Sequence, residues 1–222
     1  MYFSKELKLM LVQLDLIPNA WTQYCLEQDL RRWEREKRPP FPHLLKQRIV
    51  LDYAASCGAQ VFIETGTYYG NMLEACFDHF DQLVSCEIEK HFYRRAQRRF
   101  RHKSKVKVLH GDSGKLLPDL LRPIKCSCLF WLDAHYSCGL TGTAEMETPI
   151  ACELEAILRH PYGHTILIDD ASSFAGTNDY PTIAWVEQAA RRAGYSFAVS
   201  DNIMRLAAPR HSTPPDLANT QE

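Results

Sequence analysis

The chain has 222 residues, 45% of them hydrophobic and 24% charged, enough for one domain with short additions. Twenty-six Lys and Arg against twenty-seven Asp and Glu leave a net charge of −1, which removes the electrostatic argument for a dedicated nucleic-acid or membrane-surface binder. Apolar runs such as Leu129-Phe130-Trp131-Leu132 fall far below the ~18 residues of a membrane helix, so a soluble protein without membrane association is expected.

Leu7, Met10, Leu11 and Leu14 recur at helical spacing, and Lys8, Gln13 and Asp15 among them argue against a signal peptide. Leu26 to Arg38 mixes both charges, as a solvated helix does, before Pro39, Pro40 and Pro42 interrupt the chain. A further helix is predicted from His43 to Ser56, stopped by Gly58 at a C-terminal cap. Residues 1–57 therefore read as an N-terminal helical extension, a cover for a cleft or a pairing surface for a homodimer.

From Val61 the pattern changes to short, nearly continuous apolar runs separated by amphipathic stretches, the signature of parallel strands covered on both faces by helices. Strands are predicted at 61–65, 83–88, 106–111, 128–133, 165–170, 196–200 and 203–208, with helices between the first six. Asp201-Asn202 suits positive φ, so the last two strands form an antiparallel hairpin. The fold class is α/β, a doubly wound, mostly parallel sheet over residues 58–209. The tail, 210–222, has little to bury and reads as disordered.

The eight cysteines, at 25, 57, 76, 86, 126, 128, 138 and 152, form no Cys-x-x-Cys pair and no zinc-ligand rhythm. They read as structural or free thiols of a reducing cytoplasm, with Cys126 and Cys128 sharing one face of a strand. Lys90, Arg94, Arg95, Arg98, Arg99, Arg101, Lys103, Lys105 and Lys107 contain no acid among them. Phe92, Ala96 and Phe100 recur every four residues, which predicts a buried stripe with Arg94/Arg98 and Arg95/Arg99 turned outward as a solvated face or partner contact.

In an open α/β sheet, ligands bind outside the carboxyl ends of the strands, and the residues there are polar. The first strand is followed by Glu64-Thr65-Gly66-Thr67-Tyr68-Tyr69-Gly70. Gly66 allows a tight turn and close approach of a ligand to the backbone, and Gly70 close packing at the next helix. Glu64 stands where a dinucleotide fingerprint has its first glycine, which disfavours a pyrophosphate and favours a cationic ligand such as a sulfonium bearing an ammonium. Glu87, twenty-three positions later at the end of the second strand, is placed to accept from ribose hydroxyls. Gly111-Asp112-Ser113 ends the third strand with groups able to read an adenine edge.

These residues resemble the class I S-adenosylmethionine-dependent methyltransferases, Rossmann-like enzymes with seven strands, the last antiparallel. The resemblance spans about residues 58–208. It implies that Glu64, Gly66, Thr67 and Gly70 form the glycine-rich cofactor loop, that Glu87 binds the ribose, and that Asp112 and Ser113 serve the adenine. The fourth and fifth strands end in Asp133-Ala134-His135 and Asp169-Asp170-Ala171. On neighbouring strands ~4.8 Å apart, such carboxylates crowd together, and at least one must be protonated or neutralised by a cation. The pattern is similar to the metal-dependent catechol-type O-methyltransferases, which implies Mg²⁺ held by Asp133 with Asp169 or Asp170, although Ala171 stands where that group has Asn. In the rival reading Asp133 binds the amino-acid end of the cofactor and His135 is the general base for a substrate hydroxyl. Residues 137–149 read as a substrate loop, with Thr148 capping the helix that follows.

The function expected is therefore methyl transfer from S-adenosylmethionine to a small-molecule hydroxyl, with nucleic acid not the expected partner. A non-catalytic cofactor-binding or accessory protein of the same fold is the alternative, and a nicotinamide-dependent oxidoreductase the weaker one.

Overall fold

The computed structural model describes residues 19–38, 40–134 and 148–209. The predicted helix around Leu7–Leu14, most of the 137–149 loop with His135 before it, and the tail from 210 lie outside the described residues.

Two helices come first, α1 (Asn19–Glu36) and α2 (His43–Cys57), the second closed by Gly58 in a left-handed cap at φ 68°. The strands follow: β1 (Val61–Thr65), β2 (Gln82–Glu87), β3 (Val106–His110), β4 (Cys128–Leu132), β5 (Thr165–Ile168), β6 (Ser196–Ser200) and β7 (Ile203–Ala207). Between them run α3 (Asn71–Cys76), α4 (Lys90–Phe100), α5 (Ser113–Leu121), α6 (Ile150–Arg159) and α7 (Ile183–Arg192). One seven-stranded sheet results, ordered β3-β2-β1-β4-β5-β7-β6, parallel except for β7 against its two neighbours. The predicted hairpin is present, its turn carried by Asp201 and Asn202 at φ 54° and 60°.

β1 and β4 are buried along their whole length, which is why their sequences read as unbroken apolar runs. Val61, Ile63, Phe130, Leu132 and Ile166 pack beneath α5, α6 and α7, while Phe62, Leu129, Trp131 and Leu167 pack on the other face beside Val50 of α2 and Met72 and Leu73 of α3. α2 is thus part of the packed core of the sheet domain. The strand order reverses between β1 and β4, opening a crevice at their carboxyl ends.

Two expectations are corrected. Arg95 is buried, at 6% exposure, with its guanidinium over the Tyr69 ring, and Arg99 donates to Tyr69 O and Asn71 Oδ1 at 2.6 and 2.9 Å. Only Arg94 and Arg98 of the four face solvent, because the helix also has to close the back of the loop after β1. Cys126 lies before β4, so the two cysteines do not share a strand face. At this amino end of β4, Cys128 N–H donates to His164 Nδ1 at 3.0 Å. That leaves the His164 proton on Nε2, facing His160 Nδ1 at 2.9 Å.

Candidate active site

Hydrogen bonds that continue the ladders past the strands fix the ends of β1, β2, β4 and β5. Gly66 N–H donates to Cys86 O at 2.9 Å, Asp133 N–H to Thr65 O at 3.1 Å, Gly111 N–H to Glu87 O at 2.9 Å and Asp169 N–H to Leu132 O at 3.0 Å. Glu64, Gly66, Glu87, Asp133 and Asp169 are thereby held around the reversal point of the sheet.

The loop after β1 turns on three left-handed residues, Gly66 at φ 86°, Tyr68 at 49° and Gly70 at 74°. A Cβ on Gly66 would lie 2.7 Å from the carbonyl oxygen of Asp133, so any side chain there drives the two strand ends apart. A Cβ on Gly70 would lie 2.8 Å from the Phe100 ring, which accounts for the glycine at the start of α3. Tyr68 was not legible as a left-handed residue, since a tyrosine rarely adopts that conformation. It is held there by its N–H, which donates to Glu87 Oε2 at 2.8 Å, and by ring contacts to Tyr69 and Phe92 at centroid distances of 4.3 and 4.7 Å.

Glu87 also accepts from Glu89 N–H at 2.8 Å, so both carboxylate oxygens are oriented by backbone donors. Burial raises its pKa, and the donors from Glu89 and Tyr68 oppose that rise. Glu64 is only 2% exposed and accepts from Ser85, its register partner on β2, at 2.8 Å, while Ser85 lies 2.6 Å from Thr67 Oγ1. Burial pushes Glu64 well above the usual carboxylate range, against the Ser85 hydrogen bond, with Asp133 and Glu87 adding to the rise. Its charged form is thus disfavoured at this position, a qualification that the sequence reading of Glu64 lacked.

Asp112 caps α5, accepting from Gly114 N–H at 2.9 Å. The Ser113 hydroxyl donates to Glu153 on α6, a fully buried acid that burial raises to about 7. Thr148 accepts from Ile150 N–H at 3.3 Å, but the cap position of α6 is Pro149, one residue later than predicted, so Thr148 braces the turn that enters the helix.

Asp133, Asp169 and Asp170 come together, with one ligand-capable oxygen from each within 4.8 Å of the others. Their surroundings contain two residues that the strand-end reading missed. Lys46 of α2 pairs its ammonium with Asp169 Oδ2 and reaches Asp170 Oδ1 at 3.5 Å. Asn202, from the β6–β7 turn, donates to Asp170 Oδ1 at 3.2 Å, and its backbone oxygen accepts from Ala171 N–H at 2.8 Å. Asp170 is itself left-handed, at φ 51°. Burial lowers the Lys46 pKa, but Asp169 first, then Asp133 and Asp170, outweigh it and hold the ammonium. Burial and Asp133 keep Asp169 above its usual range, because one ammonium cannot balance three acids. One turn before Lys46, His43 is held neutral by burial, its pKa lowered to about 4, with Asp133 opposing that drop.

A resident divalent ion fits this corner poorly. The oxygens are of the right kind, but the seat between Asp169 and Asp170 already holds an ammonium, and the other oxygen of Asp169 accepts from Asp170 N–H at 2.8 Å. For the aminoacyl-adenosine cofactor the fit is better, with a backbone cradle that excludes a Cβ at Gly66 and an oriented carboxylate at the next strand end.

No family model matches the chain, and comparison with curated proteins finds no similar sequence. Solved structures do match in shape. An O-methyltransferase from Bacillus cereus in complex with SAH superposes with a TM-score of 0.54 at 16% identity, over 89% of this chain and 96% of that one. A Staphylococcus aureus protein assigned to the caffeoyl-CoA O-methyltransferases gives 0.52 at 11%, over 90% and 98%. The N-methyltransferase NodS from Bradyrhizobium japonicum WM9 gives 0.51 at 13%, over 81% and 98%. With this strand order, its antiparallel β7 and the crevice between β1 and β4, the chain has the fold of the class I S-adenosylmethionine-dependent methyltransferases.

Proposed function

We propose that the protein is an S-adenosylmethionine-dependent methyltransferase that acts on a hydroxyl of a small molecule. The observation that carries the proposal is the Gly66 cradle beside Asp133, with Glu87 oriented by Tyr68 and Glu89 at the adjacent strand end. A sulfonium cofactor supplies an activated methyl group when bound. Glu87 accepts from the ribose hydroxyls, and Gly66 lets the aminoacyl end lie against the backbone. Asp133 and the buried Glu64 give the crevice carboxyl groups with which a cation can pair. A cation there draws Glu64 back toward its charged form, against burial and the nearby Asp133 and Glu87 that favour the proton on it.

Catalysis in such a site comes mainly from positioning, as acceptor and methyl are held in line. The proposed base for the acceptor hydroxyl is His135, two positions beyond Asp133 and outside the described residues. The positive charge at the acid corner, which the likeness to the metal-dependent enzymes gives to Mg²⁺, we assign instead to the chain itself. The described cysteines are free thiols, in keeping with the proposed cytoplasmic setting, and no described helix is long and apolar enough to cross a membrane. The test is calorimetric titration with S-adenosylhomocysteine, with NADH as control, followed by a methyl-acceptor screen. Tight binding of the first alone supports the proposal, and binding of NADH alone overturns it.

A further inference from the structure

The acids at the ends of β4 and β5 are neutralised from an unexpected direction. α2 precedes the sheet, yet its first two turns span the crevice. Gln47 Nε2 donates to Asn71 O at 3.0 Å, beside the end of the glycine loop, and the neighbouring Lys46 pairs with Asp169 and Asp170. The lysine side chain is 13% exposed and that of Asp169 1%, so the pair is shielded from water. Asn202 donates to the same Asp170 Oδ1, and Asp170 N–H occupies the second oxygen of Asp169. Both oxygens of Asp169 and the Oδ1 of Asp170 are therefore engaged by groups of this chain.

We propose that Lys46 is the resident cation of this corner. Its ammonium holds the seat between Asp169 and Asp170 that a divalent ion takes in the metal-dependent enzymes this pattern resembles, so the positive charge set against these acids comes from the chain and not from a metal. The proposal rests on the methyltransferase reading for what the corner faces; the seat itself rests on the contacts of Lys46. An ion ligated by Asp169 would share its oxygen with an ammonium and be repelled by it, whereas removal of the ammonium leaves three oxygens within 4.8 Å facing a vacated seat. Lys46 is a positioning residue in this account: it fixes the carboxylates and the α2 turn that carries His43, and it takes no proton from substrate.

The experiment is Mn²⁺ titration of the full chain, read by loss of the free-ion paramagnetic resonance signal, for wild type, Lys46→Met and Lys46→Arg. Wild type and Lys46→Arg should bind no stoichiometric Mn²⁺ up to millimolar concentration, and Lys46→Met should gain one site at least tenfold tighter. Asp169→Asn in the Lys46→Met background should remove that gain. Micromolar Mn²⁺ binding by wild type, lost in Asp133→Ala, overturns the proposal even if Lys46→Met does not fold. A folded Lys46→Met that gains no site overturns it too. Titration of the same wild-type sample with S-adenosylhomocysteine separates the two readings: failure there removes the methyltransferase assignment and leaves the metal result intact.

Discussion

The tightest geometric constraint in the crevice is at Gly66, and it can be tested against a matched control. An alanine there meets two penalties. The left-handed backbone at φ 86° costs an ordinary residue about 1–2 kcal/mol. The new methyl also lies 2.7 Å from Asp133 O, 3.0 Å from its carbonyl carbon and 3.3 Å from Ala134 Cα. These are backbone atoms that cannot swing away, so the overpacking adds about 1–3 kcal/mol. Gly58 is left-handed as well, at φ 68°, but nothing lies within 4 Å of its would-be Cβ, so Gly58→Ala carries the first penalty alone. Thermal melts of both variants should place Gly66→Ala below Gly58→Ala by roughly 2–12 °C, from about 2–4 °C per kcal/mol at this size. In calorimetry Gly66→Ala should also weaken S-adenosylhomocysteine at least tenfold and Gly58→Ala should not. Equal melting temperatures for the two variants would refute the argument that β1 and β4 converge at this point.

Three further outcomes follow from buried groups. Glu153 has a folded pKa raised to about 7 from an ordinary 4.5, so folding is penalised as pH rises from 4.5 to 7 and the penalty stays constant above. Glu153→Gln, which keeps an acceptor for Ser113, should therefore be more stable than wild type at pH 8 by up to about 3 kcal/mol, with the gap closing near pH 4.5 in paired denaturant melts. His164 has the opposite sign: its folded pKa is depressed to about 3, so the stability it contributes is present above pH 6.5 and lost as pH falls toward 3. His164→Phe should cost about 1–3 kcal/mol at pH 7, because Cys128 N–H is left buried without its acceptor, and should flatten the acid limb of the stability profile. Finally, Asn202→Ala should lower stability by about 1–2 kcal/mol, since it loses both the donor to Asp170 and the left-handed tolerance of Asn, whereas Asn202→Gly should lose less; chemical denaturation compares them.

What could be read from the residues was whatever depends on periodicity and on strand ends. The continuous apolar runs of β1 and β4 mark buried parallel strands, and polar residues mark where each run stops, so the sequence alone puts Glu64, Glu87, Asp112, Asp133 and Asp169 at strand ends. Gly58 and the Asp201-Asn202 turn were legible because a left-handed backbone has a compositional signature. Tyr68 has none, and its conformation depends on Glu87 and Phe92, which are distant in sequence. Lys46 and Asn202 were hidden for the same reason. They lie 123 and 32 positions from the acids they bind, and an unaligned sequence holds no record of such contacts. Arg95 misled because a helical wheel assumes one buried face, while α4 also closes the back of the glycine loop.

The account depends most on the crevice at β1 and β2 being a site for an S-adenosyl ligand. Calorimetric titration of wild type and Glu87→Ala with S-adenosylhomocysteine addresses that directly. One site of micromolar affinity in wild type, weakened at least tenfold in a folded Glu87→Ala, is the predicted result. No heat of binding in wild type, or equal affinity in the two proteins, would contradict it.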